Sequence, residues 1–126
     1  MYYKLALLDN ASGRMLDEWN LILPATVGRA EDCAIVLNDP SISRKHCRFS
    51  IDAQGAMVIQ DLGSTNGIYV RDERVKHAAI VVGEKFQIGA MEFRIEMVDA
   101  PLPAKDRPKV SDSLYTTQKV SGYEIP

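Results

Sequence analysis

Short apolar segments, separated by turn-forming residues, run through most of this sequence. In several of them apolar side chains occupy every second position, as Phe49 and Ile51 do. A period of two is that of a β-strand with one buried face, and helical periodicity is scarce. The predicted strands lie at 2–8, 20–28, 34–37, 47–52, 56–62, 67–70, 78–82, 85–89 and 91–98. Many short strands at close spacing predict an all-β fold, and we favour an antiparallel-dominated β-sandwich over a barrel.

The overall composition argues against several classes of protein. With 126 residues, of which 46% are hydrophobic, the chain suits one globular domain with a short tail. The net charge of −2 gives no general attraction for nucleic acid. The two cysteines, Cys33 and Cys47, form no metal-ligand pattern, and no apolar run approaches the roughly 20 residues of a membrane span. We therefore predict no metal, no cofactor and no membrane contact. The N-terminus lacks a secretory pattern, which predicts a reducing, cytoplasmic setting.

The composition changes at Asp99. Residues 100–126 contain four prolines, many Ser, Thr, Lys and Asp residues, and only isolated apolar side chains. Such a segment has too little apolar surface to build a core of its own. We predict a folded domain over residues 1–98 and an extended tail or linker over residues 99–126.

Three short motifs at strand connections carry the chemistry. They are Gly28-Arg29, SISRKH at 41–46, and DLGSTNG at 61–67. A guanidinium group can pair with two oxygens of a phosphate, and hydroxyl, amide and backbone N–H groups can satisfy the others. The candidate groups of this kind are those of Arg29, Ser43, Arg44, Ser64, Thr65 and Asn66.

Taken singly, none of the three motifs is specific. Gly28-Arg29 alone is most often a turn followed by an exposed arginine. Asn66-Gly67 is the strongest short hairpin signal. His46, beside an apolar strand, is more often a structural histidine than a catalyst. The order and spacing of the three motifs are what favour a common site.

In that order and spacing the sequence resembles a known family. The segments VGRAEDCAIVLNDPSISRKHCRF, IQDLGSTNGIYV and VGEKFQIGAMEFRIE are similar to the forkhead-associated (FHA) domain, and the resemblance covers roughly residues 3–98. It implies an eleven-stranded β-sandwich that binds phosphothreonine peptides through loops at one end. The implied role is a signalling adaptor, whose partner is a phosphothreonine-containing protein such as a Ser/Thr kinase or its substrate.

The resemblance also implies a role for each residue that matches the family motifs. Arg29 would grip the phosphate, and the hydroxyls of Ser43 and Thr65 would donate to phosphate oxygens. Arg44 would reach the phosphate or the peptide backbone. Asn66 would bind the peptide backbone beside the phosphothreonine.

Other matching residues would support or tune the site. Gly28 would permit a close approach of two backbones. His46 and Gly67 would hold the loops in place. Ser41 and Lys45 are candidates for specificity, and the short, uncharged Ser41 gives no clear charge preference at the third residue after the phosphothreonine.

Two departures from the family pattern lie outside the motifs. Residues 71–74 (Arg-Asp-Glu-Arg) stand where an Asn-Gly hairpin is frequent, and Glu84 stands where Asp is frequent. The turn at 71–74 is predicted to lie beyond the phosphate loops, so that only its own geometry differs.

An enzymatic alternative uses Ser43 as nucleophile and His46 as base, with Asp39 as the supporting carboxylate. A hydrolase also needs an oxyanion hole, and three groups so close to one strand entrance rarely converge into a triad. We therefore predict no catalytic residue.

Two further alternatives involve no catalysis. Arg29, Arg44, Lys45 and Arg48 could bind nucleic acid, but the sequence lacks the aromatic platform and the recognition helix that such proteins use. An FHA-fold scaffold could instead bind protein surfaces without phosphate. The intact motif residues favour phosphate-dependent binding.

The tail carries two threonines, Thr116 and Thr117, that suggest self-recognition. A phosphate on Thr117 would place Val120 at the third following position, which an uncharged Ser41 need not reject. In the family the termini emerge opposite the binding loops, so a flexible tail reaches a neighbour's loops more easily than its own. The prediction is self-association through the phosphorylated tail, with a passive linker as the alternative.

Overall fold

The computed structural model describes residues 2–102, and the predictions for Thr116 and Thr117 lie outside this range. Strands and turns make up the described residues, and none of these residues belongs to a helix that could cross a membrane. The eleven strands are β1 (Tyr2–Leu8), β2 (Met15–Leu21), β3 (Ala25–Gly28), β4 (Ile35–Val36), β5 (Cys47–Ile51), β6 (Met57–Asp61), β7 (Ile68–Val70), β8 (Glu73–Val75), β9 (His77–Ile80), β10 (Lys85–Ile88) and β11 (Met91–Val98).

These strands form two sheets. The first has six strands in the order β2-β1-β11-β10-β7-β8, and the second has five in the order β4-β3-β5-β6-β9. Every pair is antiparallel except β3 with β4, which is parallel. The prediction of an eleven-stranded, antiparallel-dominated β-sandwich is confirmed.

The core lies between the two sheets and uses alternate residues of the strands. On β5, Phe49 is fully buried, whereas its neighbour Arg48 faces solvent. The Phe86 ring lies between those of Phe49 and Phe93, with ring centroids 5.9 and 6.2 Å away. Each such buried side chain contributes roughly 1.5–3 kcal/mol of hydrophobic stabilisation, so the aromatic cluster joins the two sheets.

Both cysteines are free and buried. Burial raises the pKa of the Cys33 thiol and of the Cys47 thiol. A raised pKa keeps a thiol protonated and unreactive. The two cysteines form no disulfide, and the two sheets are held together by apolar packing.

The predicted strand at 20–28 is wrong as a single element. β2 ends at Leu21 and β3 begins at Ala25, and the Leu23–Pro24 peptide bond between them is cis. Proline has no N–H to donate to a strand partner, so the ladder stops there. The sequence does not predict that β2 begins at Met15, because polar residues in the middle of this strand interrupt its apolar pattern.

The segment 71–74 also differs from its prediction. Arg71 and Asp72 form a tight turn with φ values of 52° and 67°, and Glu73 already begins β8. Two consecutive left-handed residues are typical of the two-residue hairpin turn that matches strand twist. The turn joins β7 to β8, and β8 runs back toward the end of the sandwich from which β7 came.

The strand register brings three connections to one end of the sandwich. We call them the first loop (29–34), the second loop (37–46) and the third loop (62–67). Val27 pairs with Cys47, and Cys47 pairs with Asp61, so all three loops leave the second sheet at the same end of its strands. Tyr2 pairs with Val98 at the opposite end.

The last strand ends at Val98, and Leu102, four residues further on, still contacts the fold. The side chain of Asn20 on β2 bonds the backbone of Leu102 twice, with Leu102 N–H donating to Oδ1 at 2.8 Å and Nδ2 donating to Leu102 O at 3.2 Å. The chain is therefore held near the terminal end of the sandwich as far as residue 102.

Candidate functional site

Gly28 brings the first and second loops into direct backbone contact. A Cβ atom built at Gly28 would lie 2.1 Å from the carbonyl oxygen of Arg44, a distance that no side chain could accept. The next two amides continue the contact, because Arg29 N–H donates to Ser43 O at 3.0 Å and Ala30 N–H donates to Arg44 O at 3.1 Å. Glycine at position 28 thus places Arg29 beside Ser43, the arrangement expected of a close-approach glycine.

The Arg29 side chain is exposed but anchored. Its Nε–H donates to the carbonyl oxygen of Ile42 at 2.5 Å. This bond uses one of the five N–H donors of the guanidinium, and the two terminal nitrogens keep the others. The bond to Ile42 O therefore orients the Arg29 guanidinium beside the second loop, and a ligand can bind the terminal nitrogens without breaking it.

His46 is the buried link between the second and third loops. The ring is 0% exposed. Its Nδ1 accepts from Ser43 N–H at 3.0 Å, and its Nε2 lies 2.8 Å from Gly67 O. Because Ser43 N–H is a donor and Gly67 O an acceptor, the ring must be neutral with its proton on Nε2. The structure thus gives His46 the loop-holding position that the sequence predicts.

The third loop is organised by Asp61, which the sequence motif contains but which we did not single out. Its Oδ2 accepts from the amides of Gly63 at 3.1 Å and Ser64 at 3.2 Å, and its Oδ1 accepts from the Ser64 hydroxyl. The Ser64 hydroxyl in turn accepts from Gly67 N–H at 2.9 Å. A carboxylate followed two and three residues later by turn-forming amides is a recognisable signal for such a cap.

This bonding changes the expectation for Ser64. The residue is only 8% exposed, and its hydroxyl both donates and accepts within the loop. The hydroxyl has a single proton, which is already donated to Asp61, so it has no proton left for a phosphate oxygen unless the loop bond breaks. Ser64 therefore belongs with the supporting residues and not with the predicted contact residues.

Ser43 and Thr65 meet where the second and third loops touch. The hydroxyl oxygen of Ser43 accepts from Thr65 N–H at 3.0 Å. A hydroxyl that accepts in this way still carries a proton to donate. The Thr65 side chain is exposed beside it. The two hydroxyls are thus brought to one place from positions 22 residues apart.

Asn66 and Ser41 form a second bridge between the loops. Asn66 Nδ2 donates to Ser41 O at 2.9 Å. The Ser41 hydroxyl donates to Asp39 Oδ2 at 2.5 Å and accepts from Ala90 N–H at 3.0 Å. The predicted specificity residue is therefore engaged within the domain. The Asn66 amide keeps its oxygen as an acceptor for a peptide N–H.

A shallow open groove of about 420 Å³ begins at this bridge. Its lining residues are Ser41, Asn66, Tyr69, Gln87, Gly89 and Ala90. The lining side chains carry no formal charge. The groove is a path along which a peptide could leave the loops over the first sheet.

The cations of the second loop are placed differently from one another. Lys45 Nζ lies 2.8 Å from Asp32 Oδ2, and this hydrogen bond raises the pKa of the lysine and lowers that of the aspartate. Both side chains are more than half exposed, so the pair contributes little to stability. The Arg44 side chain is exposed, while its carbonyl holds Gly28 and the first loop. Lys45 is thus paired to the first loop, whereas Arg44 projects from the same turn.

The geometry contradicts the hydrolase alternative. His46 bonds the backbone amide of Ser43 and not its hydroxyl, which is already bonded to Thr65 N–H. The Asp39 carboxylate is bonded to Ser41. A nucleophile needs its base within hydrogen-bond reach of the reacting oxygen. Within residues 2–102, no group of three His, Cys, Asp or Glu side chains is placed to hold a metal ion.

Arg74 is the other residue that sequence reasoning missed. The prediction that residues 71–74 lie beyond the phosphate loops is wrong for Arg74, because its Nη2 donates to Thr65 O at 3.2 Å. The hairpin turns back, so the second residue of β8 returns to the level of the third loop. A left-handed turn at Arg71 and Asp72, had it been recognised in the sequence, would have predicted that return.

The chain matches the family model of the FHA domain over residues 25–89, just over half of its 126 residues. One curated relative is the glycogen accumulation regulator GarA of Mycolicibacterium smegmatis. It is 38% identical over 93 residues, which cover 73% of this chain and 54% of GarA. This chain thus spans about half the length of the curated relatives that it matches.

Solved structures give the same family. One, from a structural and functional analysis of phosphothreonine-dependent FHA domain interactions, has 29% identity and a TM-score of 0.64, covering 79% of this chain and 100% of that one. Another is Mycobacterium tuberculosis EmbR in complex with a low affinity phosphopeptide. It has 30% identity and a TM-score of 0.62, and covers 79% of this chain and 26% of EmbR. Together with the family match, these similarities show that the chain belongs to the forkhead-associated (FHA) domain family.

Proposed function

We propose that this domain binds proteins phosphorylated on threonine and serves as a signalling adaptor. The observation that carries the proposal is the junction of the three loops, where the anchored guanidinium of Arg29 stands beside Ser43, and Ser43 is bonded to Thr65. A phosphate at neutral pH carries about −1.5 to −2 charges and presents three acceptor oxygens. One oriented guanidinium offsets part of that charge, and together with two hydroxyl donors it supplies hydrogen bonds to those oxygens.

The remaining contacts suit the peptide around the phosphate. Arg44 directly follows Ser43 in the second loop, and its exposed side chain can reach the phosphate or the peptide backbone. Asn66 offers its amide oxygen to a backbone N–H. The family resemblance also implies a preference for phosphothreonine over phosphoserine, through a small pocket for the γ-methyl group.

The uncharged groove beside Ser41 bears on specificity. Its lining supplies the Tyr69 ring and the Gln87 amide but no full charge. A peptide residue seated there would gain by packing and hydrogen bonding and not by an ion pair. We therefore propose no strong charge preference at the third position after the phosphothreonine. Lys45 is a weaker candidate for specificity because Asp32 already pairs with it.

We propose the chemical class of the partner and not its identity. Relatives include a regulator and a protein solved with a phosphopeptide, which supports a binding module and not an enzyme. A phosphothreonine-containing protein, such as a Ser/Thr kinase or its substrate, provides the ligand that the loops suit. Nucleic acid is not proposed as a partner, and the cytoplasmic setting stays a prediction.

The experiment is selection from an oriented peptide library with a fixed phosphothreonine and, in parallel, the same library with plain threonine. We expect retention only from the phosphorylated library, with weak selection for charge at the third following position. Retention of both libraries to the same extent would instead favour the scaffold that binds protein surfaces without phosphate.

Self-association through a phosphorylated Thr116 or Thr117 stays a proposal. Leu102 is held near the terminal end of the sandwich, opposite the loops, and Thr117 lies 15 positions further along the chain. A flexible chain of that length spans roughly 22 Å, whereas the path around a domain with a radius of gyration near 13 Å exceeds roughly 30 Å. Binding to a neighbour's loops avoids the cost of stretching the tail.

Light scattering on the phosphorylated chain tests this proposal. We expect a concentration-dependent dimer or longer assembly for the wild type, and a monomer for Arg29→Ala carrying the same phosphate. A wild type that stays monomeric at high micromolar concentration would contradict it.

A further inference from the structure

Arg74 makes two contacts with the third loop. It lies opposite Tyr69 in the pairing of β7 with β8. The first of the two contacts is with Thr65, whose carbonyl oxygen accepts from Arg74 Nη2 at 3.2 Å, and the second is with the backbone of Gly67. A Cβ atom built at Gly67 would lie 2.3 Å from Arg74 Nε and 2.9 Å from Cζ. The guanidinium therefore lies against the backbone of Gly67 while its end bonds Thr65.

The contact completes a clamp on Thr65. The N–H of Thr65 is held by Ser43 from the second loop, and its C=O is held by Arg74 from β8. Both polar groups of this backbone unit are thus fixed by side chains from different elements. With the Thr65 backbone held on both sides, the positions from which the Thr65 and Asn66 side chains leave the loop are fixed.

Gly67 is required for the clamp in two ways. Its φ of +77° lies in the left-handed region that favours glycine. Any side chain at this position would also push Arg74 from the loop. The planar guanidinium suits the narrow space over a glycine backbone, which a lysine ammonium on a flexible stem would not fill in the same way.

From these contacts we infer that Arg74 is a positioning residue, which holds the third loop in the geometry that binds the phosphopeptide. The inference rests on the proposed function for its ligand, but the loop-holding contact exists without ligand. It extends the site from three loops to the β7–β8 hairpin.

The test compares Arg74→Ala and Arg74→Lys with a matched control, Arg71→Ala. Arg71 belongs to the same hairpin but pairs with Glu84 at the other end, with Nη1 to Oε2 at 2.8 Å. The first readout is amide hydrogen exchange by NMR in the ligand-free protein, at Thr65 and Gly67. Loss of a hydrogen bond worth about 1 kcal/mol predicts exchange about fivefold faster in Arg74→Ala. Exchange at these amides should not change in Arg71→Ala.

The second readout is affinity for a phosphothreonine peptide. We expect it to fall about fivefold in Arg74→Ala, to be restored only in part by lysine, and to be unchanged in Arg71→Ala. Unchanged exchange in Arg74→Ala, unchanged affinity despite faster exchange, or full restoration by lysine would each overturn the inference. If the wild type itself does not bind the peptide, the proposed function fails. The hydrogen-exchange measurement still tests the loop-holding contact in that case, because it is made without ligand.

Discussion

Replacing Arg29 with alanine is expected to lower the affinity for a phosphothreonine peptide by roughly 30-fold to several thousand-fold, with the fold left intact. Of the Arg and Lys residues in the three loops, all of which lie within residues 2–102, Arg29 alone has a side-chain bond to a loop carbonyl. Lys45 of the second loop is bonded instead to the carboxylate of Asp32. Truncating one partner of a desolvated charge pair typically costs about 2–5 kcal/mol. Calorimetric titration measures the affinity, and thermal unfolding checks the fold.

The control is Arg48→Ala, which removes the same charge from the outer face of the second sheet. Arg48 is exposed on β5 and pairs with Thr26 and Gln60, outside the loops. We expect its affinity to stay near that of the wild type. Equal losses for both variants would mean that general electrostatic attraction, and not the oriented fork of Arg29, drives binding.

His46→Ala is expected to lower the free energy of unfolding by about 3 kcal/mol and to weaken binding as well. The substitution leaves Ser43 N–H without its acceptor and removes the Nε2 bond to Gly67 O, in a place that is 0% exposed. An unsatisfied buried donor or acceptor costs about 1–3 kcal/mol, and the cavity left by the ring adds to this. Denaturant unfolding measures the change.

His77 offers the matched control, because it is an exposed histidine on β9. We expect His77→Ala to change the free energy of unfolding by no more than about 0.5 kcal/mol. If Arg29→Ala unfolds the domain and His46→Ala leaves it as stable as the wild type, the two roles have been assigned the wrong way round.

Much of the fold could be predicted because each strand carries its own signal. Cys47 and Phe49 on β5, like Phe86 and Ile88 on β10, lie two residues apart and are buried in the core together, whereas Ile51 at the end of β5 is exposed. The signal fails where a local interruption overrides it. Residues 20–28 read as one apolar run, yet Pro24 cannot continue a ladder, and the chain crosses there from one sheet to the other.

In the candidate site, the sequence predicts the positions of residues that belong to the three motifs. Gly28 and His46 stand in the close-contact and buried positions that the motifs imply. The partners of Ser41, Ser64 and Arg74 depend on how separate loops meet. Ser41, for example, accepts from the amide of Ala90, 49 residues away. Neither periodicity nor turn chemistry reports on such a contact, which exists only once β10 and β11 are in register.

The direct test of phosphate-dependent recognition is calorimetric titration of the wild type with one selected peptide in three forms: phosphothreonine, phosphoserine and plain threonine. The three-loop junction predicts saturable binding of the phosphothreonine form and no binding of the plain form, and the family resemblance implies weaker binding of the phosphoserine form. Equal binding of the phosphorylated and plain forms would contradict it.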